Sequence, residues 1–190
     1  MKVGVLALQG DFKEHCVCFK TLGVEVLEIR LPSQLAEIDG LVIPGGESTT
    51  IGKLAVDFNL IDPIRSFGKS FPIWGTCGGL VFMAMDVGTD QPTLGLVDMV
   101  VERNAFGRQI ESFEEDLKIK DLPGGSFRGI FIRAPKVLKV GSGVQVLCEL
   151  EDGSKVAIRQ GNLLATSFHP ELTNDRRIHQ YFLDIIIHTN

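Results

Sequence analysis

The stretch that decides the fold is Trp74-Gly75-Thr76-Cys77-Gly78-Gly79-Leu80. It lies between an apolar strand predicted over 71–76 and an apolar helix predicted over 79–85. A sharp turn from a strand into a helix crowds the backbone, so the residues beside its central residue must be small. The glycines on both sides of Cys77 meet this requirement, and the turn therefore predicts an α/β fold.

The segments around this turn repeat the alternation of strand and helix. A strand buried on both faces is predicted from the continuous apolar run at 3–8, a strand-like segment follows at 24–29, and a short apolar strand is predicted at 40–44. One helix is expected to begin at Asp11, with Glu14 completing a capping box, and a second is expected to be capped by Ser48. The alternation predicts a mostly parallel central sheet with helices on both faces.

The second half of the chain has a different pattern. Short strands between polar turns are predicted at 99–102, 128–133, 144–150 and 155–159. They indicate a small antiparallel or mixed extension of the sheet. A further buried strand is predicted at 163–168, and a last helix carries apolar residues at helical spacing: Ile178, Tyr181, Phe182, Ile185 and Ile186. No linker or repeat interrupts the chain, so we expect one domain over 1–190.

Composition and charge limit the classes of function. The 190 residues carry a formal net charge of −5, so no basic face and no nucleic-acid partner are expected. No apolar run approaches the roughly 18–20 residues that span a membrane, and the opening MKVGVLALQGDF lacks a signal-peptide core. The four cysteines show neither zinc-site nor disulfide spacing. We therefore expect a cytoplasmic protein without a metal site.

Cys77 is the candidate nucleophile. The turn places its sulfur at the N-terminus of a helix, where backbone N–H groups and the helix dipole stabilise a thiolate. The alternative is a buried cysteine in a glycine-rich turn, but glycines on both sides favour a nucleophile elbow. The remaining cysteines lack this context and are expected to be core thiols: Cys16, Cys18 and Cys148.

His169 and Glu171 are the candidate base and orienting group that a thiol nucleophile needs. His169 follows the strand predicted at 163–168, at the sheet end where the sites of parallel sheets form. Pro170 is expected to keep His169 extended, so that Glu171 projects on the same side. The alternative is a polar surface turn. The other histidines lie within predicted helices or near the chain end: His15, His179 and His188.

A third candidate loop, 44–50, also follows a strand and contains Gly45 and Gly46. Two glycines let backbone N–H groups approach a ligand closely, as an oxyanion hole requires. A phosphate-binding loop is a rival interpretation, but Glu47 stands at its first glycine position and Leu54 at its Ser/Thr position. A plain turn is the other alternative.

Together the three loops resemble those of the class I, triad-type glutamine amidotransferases. The resemblance extends, over essentially the whole chain, to the glutaminase subunits of pyridoxal 5′-phosphate synthase. Beyond the elbow it is carried by the segments 4–10, 44–50, 101–109, 131–135 and 167–172. The runs 47–50 and 103–109 are specific to this family. One departure is Gly78, where the family commonly has alanine; glycine fits the tight turn.

The resemblance implies a flavodoxin-like glutamine amidotransferase fold and the hydrolysis of L-glutamine to glutamate and ammonia. The ammonia would pass to a (β/α)8-barrel synthase subunit that makes pyridoxal 5′-phosphate. That compound is then a product of the complex, and the glutaminase needs neither a metal nor an organic cofactor. The isolated glutaminase is expected to be nearly silent until it docks on the barrel.

The resemblance also implies roles for single residues. The catalytic triad would be Cys77, His169 and Glu171, and N–H groups around Gly46 and Gly78 would form the oxyanion hole. Glutamine would be bound by Gly45, Gly46, Glu47, Arg103, Ile132 and Arg133. Within that set the two arginines would pair with its carboxylate and Glu47 would face its ammonium group. Gln9 would help to set the oxyanion hole when the synthase docks.

Three alternatives remain open: a glutaminase that serves histidine or purine synthesis, a non-catalytic regulatory subunit of the same fold, and a small α/β thiol protein. The run 103–109 argues against the first. The intact Cys77, His169 and Glu171 argue against a non-catalytic subunit. A small α/β thiol protein would not require a glutamate two residues after the histidine, so Glu171 favours the amidotransferase.

Overall fold

The computed structural model describes residues 1–103 and 112–189, which contain a ten-stranded sheet, a two-stranded sheet and five α-helices. The strands are β1 (Lys2–Leu6), β2 (Glu25–Ile29), β3 (Gly40–Ile43), β4 (Ile73–Thr76), β5 (Ala84–Asp86), β6 (Val97–Glu102), β7 (Ser112–Leu117), β8 (Phe127–Ile132), β9 (Lys136–Val140), β10 (Gln145–Glu149), β11 (Lys155–Gln160) and β12 (Leu163–Thr166). The helices are α1 (Phe12–Thr21), α2 (Ser48–Asp57), α3 (Ile61–Phe67), α4 (Gly78–Met83) and α5 (Arg177–Thr189). Short 3-10 helices cover Pro32–Glu37 and Pro170–Leu172.

The large sheet has a parallel part and an antiparallel part. Strands β2, β1, β3, β4 and β12 lie side by side and all run parallel. Beyond β12 the sheet continues antiparallel through β11, β9 and β6, with β10 also antiparallel to β11 and β5 parallel to β6 at the edge. Strands β7 and β8 form the separate antiparallel pair. The predicted fold class, a mostly parallel sheet with a small mixed extension, is confirmed.

Helices cover both faces of the parallel strands. Ile43 and Ile73 pack in one apolar cluster with residues of α2, α3 and α4. Val42 and Trp74, which point to the opposite face, pack in a second cluster with α1 and α5. Side chains alternate between the faces along each strand, so strands covered on both sides must be apolar throughout. This explains the continuous apolar runs in the sequence.

Of the two predicted helix caps, Asp11 is at the N-cap position of α1 but lacks the predicted side-chain bonds, and Ser48 is wrong. Asp11 precedes α1, but its side chain makes no cap hydrogen bond and does not form a box with Glu14. The start of α2 is capped by Glu47 and not by Ser48, because the Glu47 carboxylate accepts hydrogen bonds from the N–H groups of Thr49 and Thr50. A helix cap contributes only about 1 kcal/mol. Tertiary contacts can therefore decide which acidic or hydroxyl side chain caps the helix.

Other differences concern elements of weak sequence signal. The helix after Cys77 was predicted to continue to residue 85, but it ends at Met83. The next residues form the strand β5. The short α3 and the strands β7 and β9 were not predicted. The family-specific run 103–109 lies outside the described residues from 104 onward. Within 1–103 and 112–189, no helix is both long and apolar enough to cross a membrane.

Candidate active site

Cys77 occupies a strained turn between β4 and α4. Its backbone has φ +46° and ψ −105°, and its N–H donates to the Thr166 carbonyl of the neighbouring strand β12 at 2.8 Å. A Cβ on Gly75 would lie 2.7 Å from backbone atoms of Gly79, and a Cβ on Gly79 would lie 2.0 Å from the Ile43 carbonyl oxygen. Glycine is therefore required at both positions, because any larger side chain would clash with the backbone. Backbone strain of this kind concentrates at functional sites.

His169 links the thiol to a buried carboxylate. Its Nδ1 lies 2.7 Å from Glu171 Oε1, and its ring lines the same pocket as the Cys77 side chain. Cys77 Sγ lies 3.9 Å from the Ile132 carbonyl oxygen. All three side chains are buried, with Cys77 only 8% exposed. Because Nδ1 is bonded to Glu171, Nε2 is the ring nitrogen left to exchange a proton with the thiol, as the order nucleophile, base and orienting acid requires.

The prediction that Glu171 lies beside His169 is met, although by a different backbone path. His169 is non-helical, with φ −106° and ψ 84°, as Pro170 requires. The residues that follow form the 3-10 helix Pro170–Leu172, and this turn carries Glu171 back to the ring. The His169 N–H donates to the Ile130 carbonyl at 2.8 Å, which ties the turn to β8.

Electrostatics favour a protonated His169 ring. Burial alone would lower the pKa of His169, but hydrogen bonds to Asp11, Cys77 and Glu171 raise it above its ordinary value. Burial raises the pKa of Glu171, and its bond to His169 opposes that shift. An imidazolium next to the sulfur is the partner that a thiolate needs.

Asp11 is a site residue that the sequence reasoning assigned to a helix cap. Its Oδ2 lies 3.4 Å from His169 Nδ1, and its side chain is 40% exposed at the pocket. In the described chain, Asp11, His169 and Glu171 form a group whose ligand atoms lie within 4.8 Å of one another and which could hold a metal ion. Hydrogen bonding to the ring already accounts for their arrangement, and the absence of a metal stays a prediction.

A cavity of about 400 Å³ opens over Cys77 and His169. This volume lies in the range of small-molecule sites. The other predicted site residues that line it are Gly46, Glu47, Gly78, Arg103, Ile132 and Arg133. Gly45, Glu171 and Gln9 are not in its wall. Arg133, like Cys77, has a positive φ of 46°.

Glu47 and Arg103, expected to bind opposite ends of glutamine, are joined to each other at the pocket edge. Arg103 Nη2 donates to Glu47 Oε1 at 3.2 Å, while Nη1 donates to Thr49 and to Gln91. Burial raises the pKa of Glu47, but its hydrogen bonds to Thr50 and Thr49 outweigh this and lower it. Gln91 was missed because it lies in a loop without a sequence signal.

The peptide between Gly46 and Glu47 presents its carbonyl to the elbow. The Glu47 N–H donates to Gln9 Oε1 at 2.9 Å. On the other side, a Cβ at Gly78 would lie 2.2 Å from the Gly46 carbonyl oxygen, so glycine at 78 permits this close approach. The preceding carbonyl, of Gly45, accepts from the Asp11 N–H at 3.0 Å. An oxyanion hole needs N–H groups in this place.

Nearly the whole chain is similar to known proteins. A model of the SNO glutamine amidotransferase family matches residues 5–188. The pyridoxal 5′-phosphate synthase subunit PdxT of Dehalococcoides mccartyi is 53% identical over 189 residues, covering 97% of each chain. The same subunit of Pelotomaculum thermopropionicum is 54% identical over 187 residues, covering 97% of this chain and 94% of that one. A crystal structure described as a glutamine amidotransferase superposes with a TM-score of 0.92 at 50% identity, covering 97% and 98% of the two chains.

Proposed function

The chain belongs to the SNO glutamine amidotransferase family, and from this membership we infer that it is the glutamine-hydrolysing subunit of a pyridoxal 5′-phosphate synthase. It releases ammonia from L-glutamine for a synthase subunit with which it works. The relatives named above carry this subunit's name at more than 50% identity, which disfavours a glutaminase for histidine or purine synthesis.

The observation that carries the chemistry is the single ring of His169, which is bonded to Glu171 at Nδ1 and lines the same pocket as Cys77. The Cys77 thiolate attacks the side-chain amide carbon of glutamine, and the carbonyl oxygen becomes an oxyanion. His169 then gives a proton to the departing nitrogen, so that ammonia leaves and a thioester remains. A water molecule next attacks the thioester carbon while the neutral ring takes a proton from that water. The C–S bond then breaks, so glutamate leaves and the Cys77 thiolate is restored. Glu171 stabilises the imidazolium and holds its orientation.

The pocket supports a substrate with charges of both signs. Arg103 and Arg133 lie in its wall and would pair with the glutamine carboxylate, while Glu47 would face the ammonium group. Because Arg103 and Glu47 are bonded to each other, substrate has to compete with that ion pair. Gly45, Gly46 and Ile132 would contribute backbone contacts.

Partner docking would complete the oxyanion hole. With the Gly46 carbonyl against Gly78 and the Glu47 N–H held by Gln9, the peptide between Gly46 and Glu47 supplies no donor to the oxyanion, and one of the two expected donors is missing. Rotation of this one peptide would replace the carbonyl by an N–H. Losing one such donor typically costs about 10²–10³ in rate, so docking would switch activity by that factor without moving Cys77.

The finer properties of the complex belong to the same proposal. The partner would be a (β/α)8-barrel subunit, pyridoxal 5′-phosphate would be its product, and neither a metal nor an organic cofactor would take part in glutamine hydrolysis. The domain would cover 1–190, in the cytoplasm, without nucleic-acid or membrane partners. The acidic net charge of −5 supports the absence of nucleic acid.

The test is glutamate release by the chain alone and with its barrel subunit. The wild-type chain should be slow alone and about 10²–10³ faster in the complex. Cys77→Ala should be inactive in both yet still bind the partner, while Cys148→Ala, a matched change of a buried thiol far from the pocket, should retain activity. Glutamate release that ignores the partner, or that survives in Cys77→Ala, would refute the proposal.

A further inference from the structure

A second polar cluster lies behind Glu171, on the side away from the pocket. It consists of His15 from α1, Thr76 at the end of β4 and His179 from α5, all without solvent exposure. His15 Nδ1 lies 3.1 Å from His179 Nε2, and His15 Nε2 lies 3.1 Å from Thr76 Oγ1. The same His15 Nε2 is 3.3 Å from Glu171 Oε2. The cluster therefore touches the carboxylate that orients His169.

The second oxygen of Glu171 needs a donor. Glu171 Oε2 is fully buried and has no hydrogen bond of good geometry to the described residues, although Oε1 is bonded to His169. Buried carboxylate oxygens are costly to leave without a donor. A small rotation of the carboxylate or of the His15 ring would turn the 3.3 Å contact into that bond.

The cluster favours one tautomer of His15. With the proton on Nε2, this N–H faces two acceptors that can share it, Thr76 Oγ1 at 3.1 Å and Glu171 Oε2 at 3.3 Å, while Nδ1 accepts from the His179 Nε2–H. Among the described residues of the cluster, the acceptor His179 Nδ1 is then left without a partner. With the proton on Nδ1, the Nε2 lone pair faces a carboxylate and the His179 Nδ1–H is a buried donor without a partner. The first arrangement satisfies more groups.

Both rings of the cluster stay neutral at physiological pH. Burial lowers the pKa of His15 well below its ordinary value, with His179 and His169 adding to the effect. Burial also lowers the pKa of His179, to about 3. Both rings pack edge-on against Trp74, in an apolar shell that excludes water. A neutral imidazole has one donor and one acceptor, so a bond at one nitrogen decides the role of the other.

We propose that His15 is a positioning residue for the triad: its Nε2–H holds Glu171 Oε2, which fixes the carboxylate plane that orients His169, and His179 sets the His15 tautomer. The proposal rests on glutamine hydrolysis as the function. His15 does not touch the substrate and acts only through Glu171. Once Oε2 is bonded to His15 as Oε1 is bonded to His169, the carboxylate is kept from turning away from His169 during the reaction.

The test compares four variants in the complete complex with the barrel subunit. His15→Leu removes the donor and should lower kcat roughly 10–100-fold, the size found when the outer partner of a metal-ligating histidine is lost, with KM within about twofold. His15→Gln places an amide N–H near the position of Nε2 and should restore most of kcat. His15→Asn reaches only the Nδ1 position and should not. His188→Leu is the matched control at an exposed histidine, and it should behave as wild type.

The pH profile of kcat/KM separates positioning from a structural role. The titratable groups that face His169 are Asp11, Cys77 and Glu171, and those that face His15 are His179, Glu171 and His169. A poorly oriented Glu171 stabilises the imidazolium less, so the alkaline limb should move to lower pH in His15→Leu and return in His15→Gln. If His15 has only a structural role, its replacement should lower kcat/KM by the same factor at every pH and leave the alkaline limb of the profile in place.

Three outcomes would overturn the proposal: wild-type kcat in His15→Leu, an unmoved alkaline limb, or equal rates for His15→Gln and His15→Asn. If His15→Leu does not fold, the Gln and Asn variants decide the question by themselves. An inactive wild-type complex would instead count against the proposed function, so the two failures are distinguishable.

Discussion

Replacing Gln9 by glutamate tests the peptide switch most directly. In the structure the Gln9 side-chain oxygen accepts from the Glu47 N–H at 2.9 Å, which holds the Gly46 carbonyl at the elbow. Rotating the peptide would bring that carbonyl to Gln9, whose amide group can also donate. Glutamine can therefore serve both orientations. A carboxylate only accepts, so Gln9→Glu should favour the resting orientation alone.

The magnitude follows from these two bonds. A neutral hydrogen bond contributes about 1 kcal/mol and one to a charged group about 1.5–3 kcal/mol. Gln9→Glu thus strengthens the resting state by about 0.5–2 kcal/mol and removes about 1 kcal/mol from the active state. The sum, about 1.5–3 kcal/mol, corresponds to roughly 10–100-fold. Gln9 is partly exposed, so solvent screening favours the lower end.

The assay is glutamate release at saturating barrel subunit, with binding to that subunit measured separately by calorimetry. We expect Gln9→Glu to bind the partner normally but to reach only about a tenth of the stimulated rate. Gln9→Ala removes the bond from both orientations and should change the stimulated rate less. The control is Gln34→Ala, which removes a similar side-chain bond to backbone N–H groups of Arg30 and Leu31 away from the pocket. Full stimulation of Gln9→Glu would refute the switch.

Three further predictions concern the triad and the pocket. Burial raises the pKa of Cys16 and Cys148 to about 11, so these thiols stay protonated at pH 8. A glutamine-analogue electrophile at pH 8 should therefore label Cys77 alone, and peptide mass mapping would check this. His169→Asn should cost several orders of magnitude in kcat and Glu171→Gln clearly less, because the latter keeps a ring that is only misoriented; equal, small losses in steady-state rates would mean a structural turn. Arg103→Ala should raise KM for glutamine roughly tenfold, the low end of about 1.5–3 kcal/mol for a charged hydrogen bond at a partly exposed group, and a fall in kcat at constant KM would assign Arg103 to activation.

The elbow and the sheet could be predicted from the sequence because their causes are local. A nucleophile between a strand and a helix needs small neighbours, and Gly75, Gly78 and Gly79 sit where a Cβ would meet backbone atoms. Strands covered on both faces must be apolar throughout, so β1 and β3 were visible as apolar runs. The pairing of His169 with Glu171 was also local, although a 3-10 turn and not an extended chain produces it.

What the tertiary structure decided involves groups far apart in the chain. His15 and His179 are 164 residues apart and meet only because α1 and α5 pack on the same face of the sheet. Asp11 had the sequence context of a helix cap, yet its side chain makes no cap bond and lies 3.4 Å from His169 Nδ1. A cap is worth only about 1 kcal/mol, so contacts made by the fold outweigh it. Local sequence reports short-range sterics and periodicity, whereas the electrostatic surroundings of a buried group depend on which distant segments the fold places beside it.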